Sequence, residues 1–345
     1  MSSVIISKDR MREILSALME EKRVAAPVSS GKVIDFLETT DAGAILMGDE
    51  IAYKSPKEFF FPRCEKIITF KDDEAVAEMP EKGLVLFGAR PCDLEALRIM
   101  TAVFTTGKFQ DPFFQANLDA SLIIGVGCLE KKPGCFCELR ETDMRFSDNC
   151  DLFLKNAGDS YEALYVSEKG REAFGGFMPE LNGFENTERG RTLPDAAIQT
   201  SDPEEGGSGG MSNENTLSLE KGEIEMFDKV DWGLITETCQ GCGLCTYICP
   251  TCHCFVFKDV EDGGAVCRYR NWDSCMFPKF TLHASGHNPR SSVRERYRQR
   301  ILHKYSYVKD NFGYVACTGC GRCVRSCPAG MNIRTIVEGI IEELG

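Results

Sequence analysis

Apolar positions in the first half of the chain follow a helical period in some segments and form short runs in others. Helical spacing occurs in Met11–Lys22 and in Asp93–Phe104. Lys32–Leu37 has the pattern of a short strand, and the apolar runs Gly83–Ala89 and Ser121–Val126 are typical of buried strands. Because a strand, a helix and a strand follow one another within about 45 residues, the pattern predicts a parallel crossover unit. We therefore expect an α/β domain with a parallel-sheet core.

The pattern breaks down between Asn182 and Asn215, where Asp202–Gly210 has the composition of a linker. No strand precedes these glycines and no Lys-Ser/Thr pair follows them, so they do not indicate a phosphate-binding loop. The sequence thus predicts an α/β domain over residues 1–185, a flexible linker over 186–222, and a second domain over 223–345.

The charge balance narrows the classes of partner. The chain of 345 residues has 40 basic and 53 acidic residues, for a formal net charge of −13. This argues against nucleic acid as a partner, because phosphate binding needs a concentrated basic face. No apolar run reaches the roughly 18–20 residues of a membrane span. The segment that starts at Met1 has no signal pattern, so we expect a cytoplasmic protein that does not enter a membrane.

Cysteine is the unusual component of the composition, with 18 Cys against only 4 His. Without a secretory signal, so many thiols indicate metal ligands or redox groups rather than disulfides. The scarcity of histidine makes sulfur the expected ligand.

The second domain contains one cysteine motif twice. Three cysteines at two-residue intervals are followed by a Cys-Pro pair, first within Cys239–Pro250 and again within Cys317–Pro328. This spacing is typical of two-cluster bacterial ferredoxins, in which the fourth cysteine of each motif ligates the neighbouring cluster. We therefore predict a mainly α-helical, ferredoxin-like domain with two [4Fe–4S] clusters. The predicted ligands are Cys239, Cys242, Cys245 and Cys327 for one cluster, and Cys317, Cys320, Cys323 and Cys249 for the other.

Four cysteines of the first domain indicate a third cluster. Cys92 follows the first buried strand and Cys128 follows the second, so both belong at the carboxyl edge of the sheet, where open α/β sheets bind ligands. Cys135 and Cys137 follow in a loop close by. A third [4Fe–4S] cluster is the prediction, and a zinc site or buried structural thiols are the alternatives.

The remaining cysteines and a basic segment leave several interpretations open. Cys252, Cys254, Cys267 and Cys275 surround the first motif, where they could tune or shield a cluster, hold another metal, or simply pack near it. Cys64 and Cys150 are expected to be ordinary thiols. The basic segment from Arg290 to Lys304 fits a solvated helix face. It fits equally well a source of positive charge that raises cluster potentials or docks an acidic partner.

Together these motifs suggest a family. The chain resembles the iron–sulfur electron-transfer subunit of anaerobic sulfite reductase and the β subunit of soluble NAD(P)-linked sulfhydrogenases. The matching stretches are Arg90–Asp93, Gly127–Cys128 with Cys135–Cys137, Cys249–Phe255, Trp272–Met276, the Arg-rich helix that ends in His303–Lys304, and the last cysteine motif.

The resemblance implies a protein that carries electrons between two partners. One is a flavin subunit of the ferredoxin–NADP reductase type, which handles NAD(P)H. The other is a catalytic subunit, which is a sulfite reductase, a hydrogenase or a heterodisulfide-reductase-like module. FAD and NAD(P) then belong to a partner, in keeping with the absence of a G-x-G-x-x-G after a strand. Two alternatives stay open: a reductase that splits a disulfide with its own cysteine-bound cluster, and a zinc-stabilised scaffold.

Overall fold

The computed structural model describes residues 3–80, 83–178 and 223–344. The predicted linker over 186–222 lies outside the described residues, so the proposed domain division stays a prediction. The strands are β1 (Val4–Ser7), β2 (Arg23–Ser30), β3 (Val33–Glu38), β4 (Cys64–Lys71), β5 (Glu74–Ala77), β6 (Leu84–Ala89), β7 (Leu122–Val126), β8 (Leu152–Asn156), β9 (Ser160–Tyr165), β10 (Phe255–Asp262) and β11 (Ala265–Trp272).

The helices form two groups, one on each side of the predicted linker, and both groups contain helices of different lengths. The first part has α1 (Lys8–Leu18), α2 (Pro91–Thr105), α3 (Pro112–Ala120) and α4 (Glu168–Phe174), with 3₁₀ turns at Ala42–Ala44, Pro56–Phe59 and Cys137–Arg140. The second part has α5 (Glu223–Lys229), α6 (Trp232–Ile235), α7 (Leu244–Tyr247), α8 (Val293–Leu302), α9 (Val308–Phe312), α10 (Arg322–Arg325) and α11 (Ile333–Leu344). A π-helical turn, His303–Tyr307, joins α8 to α9.

The larger sheet has the strand order β1-β9-β8-β7-β6-β2-β3 in the described residues. Its centre is parallel, because β2, β6, β7 and β8 pair in the same direction, and its two edges are antiparallel. The predicted crossover is confirmed, since β6 leads through α2 and α3 into the parallel strand β7. The sheet is mixed overall, with a parallel core.

Both faces of this sheet are covered. On one face, Ile14 of α1 packs with Val85 and Ile124. On the other face, Leu94 of α2 packs with Leu86 and other apolar side chains of the sheet and of α3. Every residue of β6 and β7 is buried. This explains why these strands are continuous apolar runs rather than alternating ones.

A second, antiparallel sheet joins the two parts of the chain, with the order β10-β11-β4-β5. The hairpin β10–β11 comes from the second part, and β4 and β5 come from the first. Arg270 of β11 forms buried ion pairs with Glu65 of β4 and with Asp111. The second part is therefore not purely helical. Sequence analysis missed this hairpin, although Gly263 and Gly264 mark its turn with φ of +57° and +85°.

No helix within the described ranges is both long enough and apolar enough to cross a membrane.

Candidate iron–sulfur site

The two cysteine motifs fold into matching loops. In each, the glycines after the first and second cysteines adopt left-handed backbone, with φ of +64° and +76° at Gly241 and Gly243, and of +65° and +69° at Gly319 and Gly321. Each loop then enters a single helical turn, α7 or α10. Residues with a Cβ rarely adopt these φ values, so glycine is what allows the chain to curl between consecutive cysteines.

The first motif lines a cavity together with two cysteines from the second. Cys239, Cys242 and Cys245 lie on its wall, and so does Cys327. Cys323 also reaches this cavity, whose apolar lining includes Ile333 and Met276. Cys242 is the exposed member of the set. The structure thus brings together the four thiols that the sequence assigns to the first cluster.

Cys249 lies with the second motif. Its Sγ lies 3.3 Å from Thr251 Oγ1, and that hydroxyl donates to the carbonyl of Ala316, the residue before Cys317. The buried Lys304 donates to Cys249 Sγ at 3.2 Å, to Thr251 Oγ1 at 2.9 Å and to the carbonyl of Ala316 at 2.9 Å. The fourth cysteine of each motif therefore approaches the other motif, as cross-ligation requires.

Three buried basic side chains face these cysteines, and burial lowers the pKa of one of them, Lys57. Lys57, Arg300 and Lys304 are 6%, 2% and 2% exposed, and none of them pairs with a carboxylate of the described residues. Arg300 Nε has no hydrogen-bond partner there. Burial by itself lowers the pKa of Lys304, but the thiolates of Cys249 and Cys252 raise it overall. An uncompensated buried cation is costly, so this region is built for negative charge.

This burial bears on the basic segment from Arg290 to Lys304, for which the sequence allowed either a solvated helix face or a source of positive charge near a cluster. Arg296, Arg300 and Lys304 are buried at four-residue intervals and face inward, whereas Arg294 is exposed. The capping box of Ser292 and Glu295 starts the helix that carries them. Their i, i+4 spacing was visible in the sequence, but burial of a charged face could not be inferred without knowing what it faces.

The four predicted cysteines of the first part also meet. Cys92 lies in the first turn of α2 and Cys128 follows β7, so both lie at the carboxyl edge of the sheet. They line one cavity with Cys135 and Cys137. Burial raises the pKa of the Cys128 thiol to about 12. In the absence of a metal the Cys128 thiol is thus protonated at neutral pH, and metal binding must displace its proton.

Cys320 of the second motif lines this same cavity, so the N-terminal cysteines are not remote from the ferredoxin-like motifs. The side chain of Arg322 forms a fully buried ion pair with Asp93 of α2. Gly319 and Gly321 allow the second motif to approach the Cys135–Cys137 loop. A Cβ at Gly321 would lie 2.3 Å from the carbonyl oxygen of Gly134. Sequence analysis missed this ion pair, which spans 229 positions and leaves no local signal.

Among the extra cysteines, Cys254 and Cys275 pack in the same hydrophobic cluster. Cys252 interacts first with Cys249, the fourth cysteine of the first motif. Cys267 instead points toward Thr69 on the smaller sheet, with Sγ 3.8 Å from Oγ1. Cys64 is exposed on β4, and the Cys150 thiol hydrogen-bonds to the carbonyl of Ser147.

The spacing of the donors bears on the zinc alternative. Within residues 3–80, 83–178 and 223–344, no group of three or more His, Cys, Asp or Glu side chains is arranged to hold a single metal ion. A tetrahedral zinc ion draws its thiolates together at Zn–S distances of about 2.3 Å. A cubane spreads its four thiolates farther apart.

Comparison with known proteins agrees with this geometry. Residues 238–331 match the family described as a 4Fe-4S dicluster domain. The chain is also 28% identical to sulfhydrogenase 2 subunit beta of Pyrococcus furiosus. The alignment has a length of 353 and covers all of both chains. The resemblance to the sulfhydrogenase β subunits is confirmed. No solved structure matches the chain.

The match covers both motifs and the segment between them. It contains both cysteine loops, the hairpin β10–β11, and the helix that carries Arg296 and Arg300. The extra cysteines Cys252, Cys254 and Cys275 also lie inside it. Cys92 and Cys128 lie outside it, in the α/β part, and they meet the dicluster domain only through tertiary contacts such as the one between Arg322 and Asp93.

Proposed function

We propose that this chain is the iron–sulfur electron-transfer subunit of an oxidoreductase complex. In this proposal it relays electrons between a flavin subunit that handles NAD(P)H and a separate catalytic subunit. The latter is a sulfite reductase, a hydrogenase or a heterodisulfide-reductase-like module. The observation that carries the proposal is the position of the fourth cysteines: Cys327 lines the cavity of the first motif, and Cys249 shares the donor Lys304 with Ala316, next to the second motif.

The proposed ligand sets follow from this exchange. Cys239, Cys242, Cys245 and Cys327 would hold one [4Fe–4S] cluster, and Cys317, Cys320, Cys323 and Cys249 the other. Cys92, Cys128, Cys135 and Cys137 would hold a third, supported by the cavity that they share. Such clusters accept and release single electrons, with potentials set by net charge, hydrogen bonds to sulfur and solvent exposure.

The protein contributes charge compensation and exclusion of water. Arg300 and Lys304 supply buried positive charge, and Lys304 hydrogen-bonds to the sulfur of Cys249. Both effects favour the reduced state of a nearby cluster, because reduction adds a negative charge. Ile333 and Tyr297 cover the first cavity with apolar surface. The exposed Cys242 offers a route from that cavity to a partner.

The partners are inferred from chemistry and from the relative. The relative's name makes it one subunit of a sulfhydrogenase, which supports a multi-subunit complex here. The sequence has no dinucleotide fingerprint, so FAD and NAD(P) are assigned to a partner. A third cluster beside Cys320 would lie at the junction of the two parts of the chain, where it could receive electrons from one partner and pass them to the dicluster domain.

Metal content and electron transfer test this proposal together. Full-length protein purified anaerobically should contain roughly twelve iron and twelve sulfide in these three clusters, four of each per cubane. It should accept electrons from a low-potential dye but should not oxidise NADH or NADPH until a flavin subunit is added. Zinc in place of iron, or rapid NAD(P)H oxidation by the flavin-free chain, would refute the proposal.

A further inference from the structure

One arginine of the second motif reaches the cysteine loop of the first part of the chain. Arg325 is the last residue of α10, and its side chain lies across the backbone of Gly134 and Gly321, which both adopt positive φ. A Cβ at Gly134 would lie 3.4 Å from Arg325 Cγ, and one at Gly321 would lie 2.8 Å from Arg325 Nη1. The two glycines therefore leave room for the guanidinium to cross from one loop to the other.

The guanidinium makes three hydrogen bonds where it ends. Nη1 of Arg325 donates to the carbonyl of Pro133 at 2.9 Å and to the sulfur of Cys135 at 3.4 Å, and Nη2 donates to the carbonyl of Cys320 at 3.2 Å. Cys320 is a proposed ligand of the second-motif cluster. Cys135 belongs to the third proposed cluster, here called the N-terminal cluster, which is assigned to Cys92, Cys128, Cys135 and Cys137. One charged group thus contacts a ligand residue of each cluster.

The contact between the two loops gains from such a donor once metal is bound. In the structure, Cys135 Sγ donates to the carbonyl of Cys320 at 3.4 Å. A thiolate that ligates metal has lost this proton, so the sulfur and the carbonyl oxygen would face each other as two acceptors. Because the guanidinium of Arg325 donates to both, it replaces the lost bond with two bonds from a charged donor.

The positive charge of Arg325 is available to the sulfur, and the loops do not depend on it to stay together. Arg325 pairs with no carboxylate in the part of the chain that the structure describes. The amide of Phe136 donates to the carbonyl of Gly319 at 2.8 Å, and Arg140 Nε donates to that of Cys317 at 3.0 Å. A change at Arg325 can therefore alter the charge beside the sulfur without separating the two loops.

We propose that Arg325 is a positioning residue of the second motif that raises the reduction potential of the N-terminal cluster through the sulfur of Cys135. Reduction transfers one electron to this cluster from the partner's flavin, or from a low-potential dye in the test tube. A hydrogen bond and a positive charge at a ligand sulfur stabilise the added negative charge. The second-motif cluster gains less, because the bond to Cys320 is made at the carbonyl rather than at sulfur. This inference rests on the proposed function only in that it needs the third cluster.

The test is a redox titration of the full-length protein followed by EPR, with iron content measured on each sample. The signal that disappears in Cys92→Ser identifies the N-terminal cluster. In Arg325→Met, the ratio of reduced to oxidised N-terminal cluster at a fixed potential should fall about tenfold, which corresponds to about 59 mV for a one-electron couple. Arg325→Lys keeps the charge but not the planar fork and should restore part of this ratio. Arg268→Met, the control, removes a surface arginine that pairs with Asp259 and should leave the ratio unchanged.

The outcomes distinguish failure of this inference from failure of the proposed function. If Arg325→Met keeps its iron and its N-terminal cluster titrates as in Arg268→Met, or if the second-motif cluster shifts equally, the inference is wrong and the proposed function stands. If Arg325→Met loses the iron of this cluster, Arg325→Lys decides: a ratio below that of wild type supports the inference, and the wild-type ratio contradicts it. If wild type and Cys92→Ser hold equal iron, the third cluster and this inference both fall, whereas the two dicluster sites stand.

Discussion

Replacing Lys304 by methionine should lower the reduction potential of the cluster that we assign to the second motif. Lys304 is 2% exposed, and its Nζ lies 3.2 Å from Cys249 Sγ. Methionine keeps the length and the apolar stem of the side chain but removes the charge and the hydrogen bond to sulfur. Reduction of the cluster then loses a favourable electrostatic interaction, so the reduced state becomes less stable.

The size of the effect follows from Coulomb's law. If the added electron is centred about 6 Å from Nζ in an effective dielectric constant of about 20, the interaction is about 3 kcal/mol. For a one-electron couple this corresponds to roughly 120 mV. Loss of the N–H···S hydrogen bond shifts the potential in the same direction. We therefore expect a decrease on the order of 100 mV.

The assay is a redox titration of the full chain followed by EPR, with iron content measured on each sample. Lys304→Arg, which keeps the charge, should restore most of the potential. Lys279→Met removes an exposed lysine of the same domain and should leave the potential unchanged. If Lys304→Met retains its iron and its potential matches that of Lys279→Met, the electrostatic reasoning is wrong.

Three further changes test how the site is built. Cys327→Ser should disturb the cluster of the first motif and spare the one nearer in sequence, and site-selective EPR showing the reverse would contradict cross-ligation. Arg322→Met leaves Asp93 buried without its partner and should cost about 3–5 kcal/mol in the free energy of unfolding, with partial recovery in Arg322→Met/Asp93→Asn. Chemical denaturation measures both, and equal stability of single and double variants would argue against this ion pair. Gly321→Ala, whose Cβ would meet a carbonyl at 2.3 Å, should destabilise by about 2 kcal/mol or more beyond Gly263→Ala, which is left-handed but unobstructed. If the two substitutions lower the free energy of unfolding by similar amounts, the contact between residue 321 and the Gly134 carbonyl is not the cause.

The local pattern of apolar residues was sufficient to predict the parallel core of the first part. Burial on both faces requires apolar runs, and runs of this kind are legible in Leu84–Ala89 and Leu122–Val126 without knowledge of their neighbours. The same holds for the paired motifs. Their spacing fixes how three sulfurs and two left-handed glycines can be arranged, so the dicluster domain could be inferred from the sequence alone.

The hairpin β10–β11 was not predicted, because the local sequence pattern does not show which distant strand it pairs with. Its strand β11 pairs with β4 from the other side of the predicted linker, and this pairing depends on a partner about two hundred positions away in the sequence. The same strand pairing separates Cys267 from Cys254 and Cys275. The sequence alone gave no reason to distinguish among these three cysteines.

The sequence by itself determined the kind of chemistry, because ligand type and loop spacing are local properties of the chain. Only the tertiary structure decided the electrostatic surroundings of the sulfurs. Lys57 comes from the first part of the chain, whereas Arg300 and Lys304 come from one helical segment of the second part. Their burial against thiols depends on how these two segments pack. Arg322 likewise joins the second motif to α2 through its ion pair with Asp93, and nothing in the sequence near either residue indicates this contact. Charge acts through space rather than along the chain, so the groups that set a cluster's potential are found only once the fold is known.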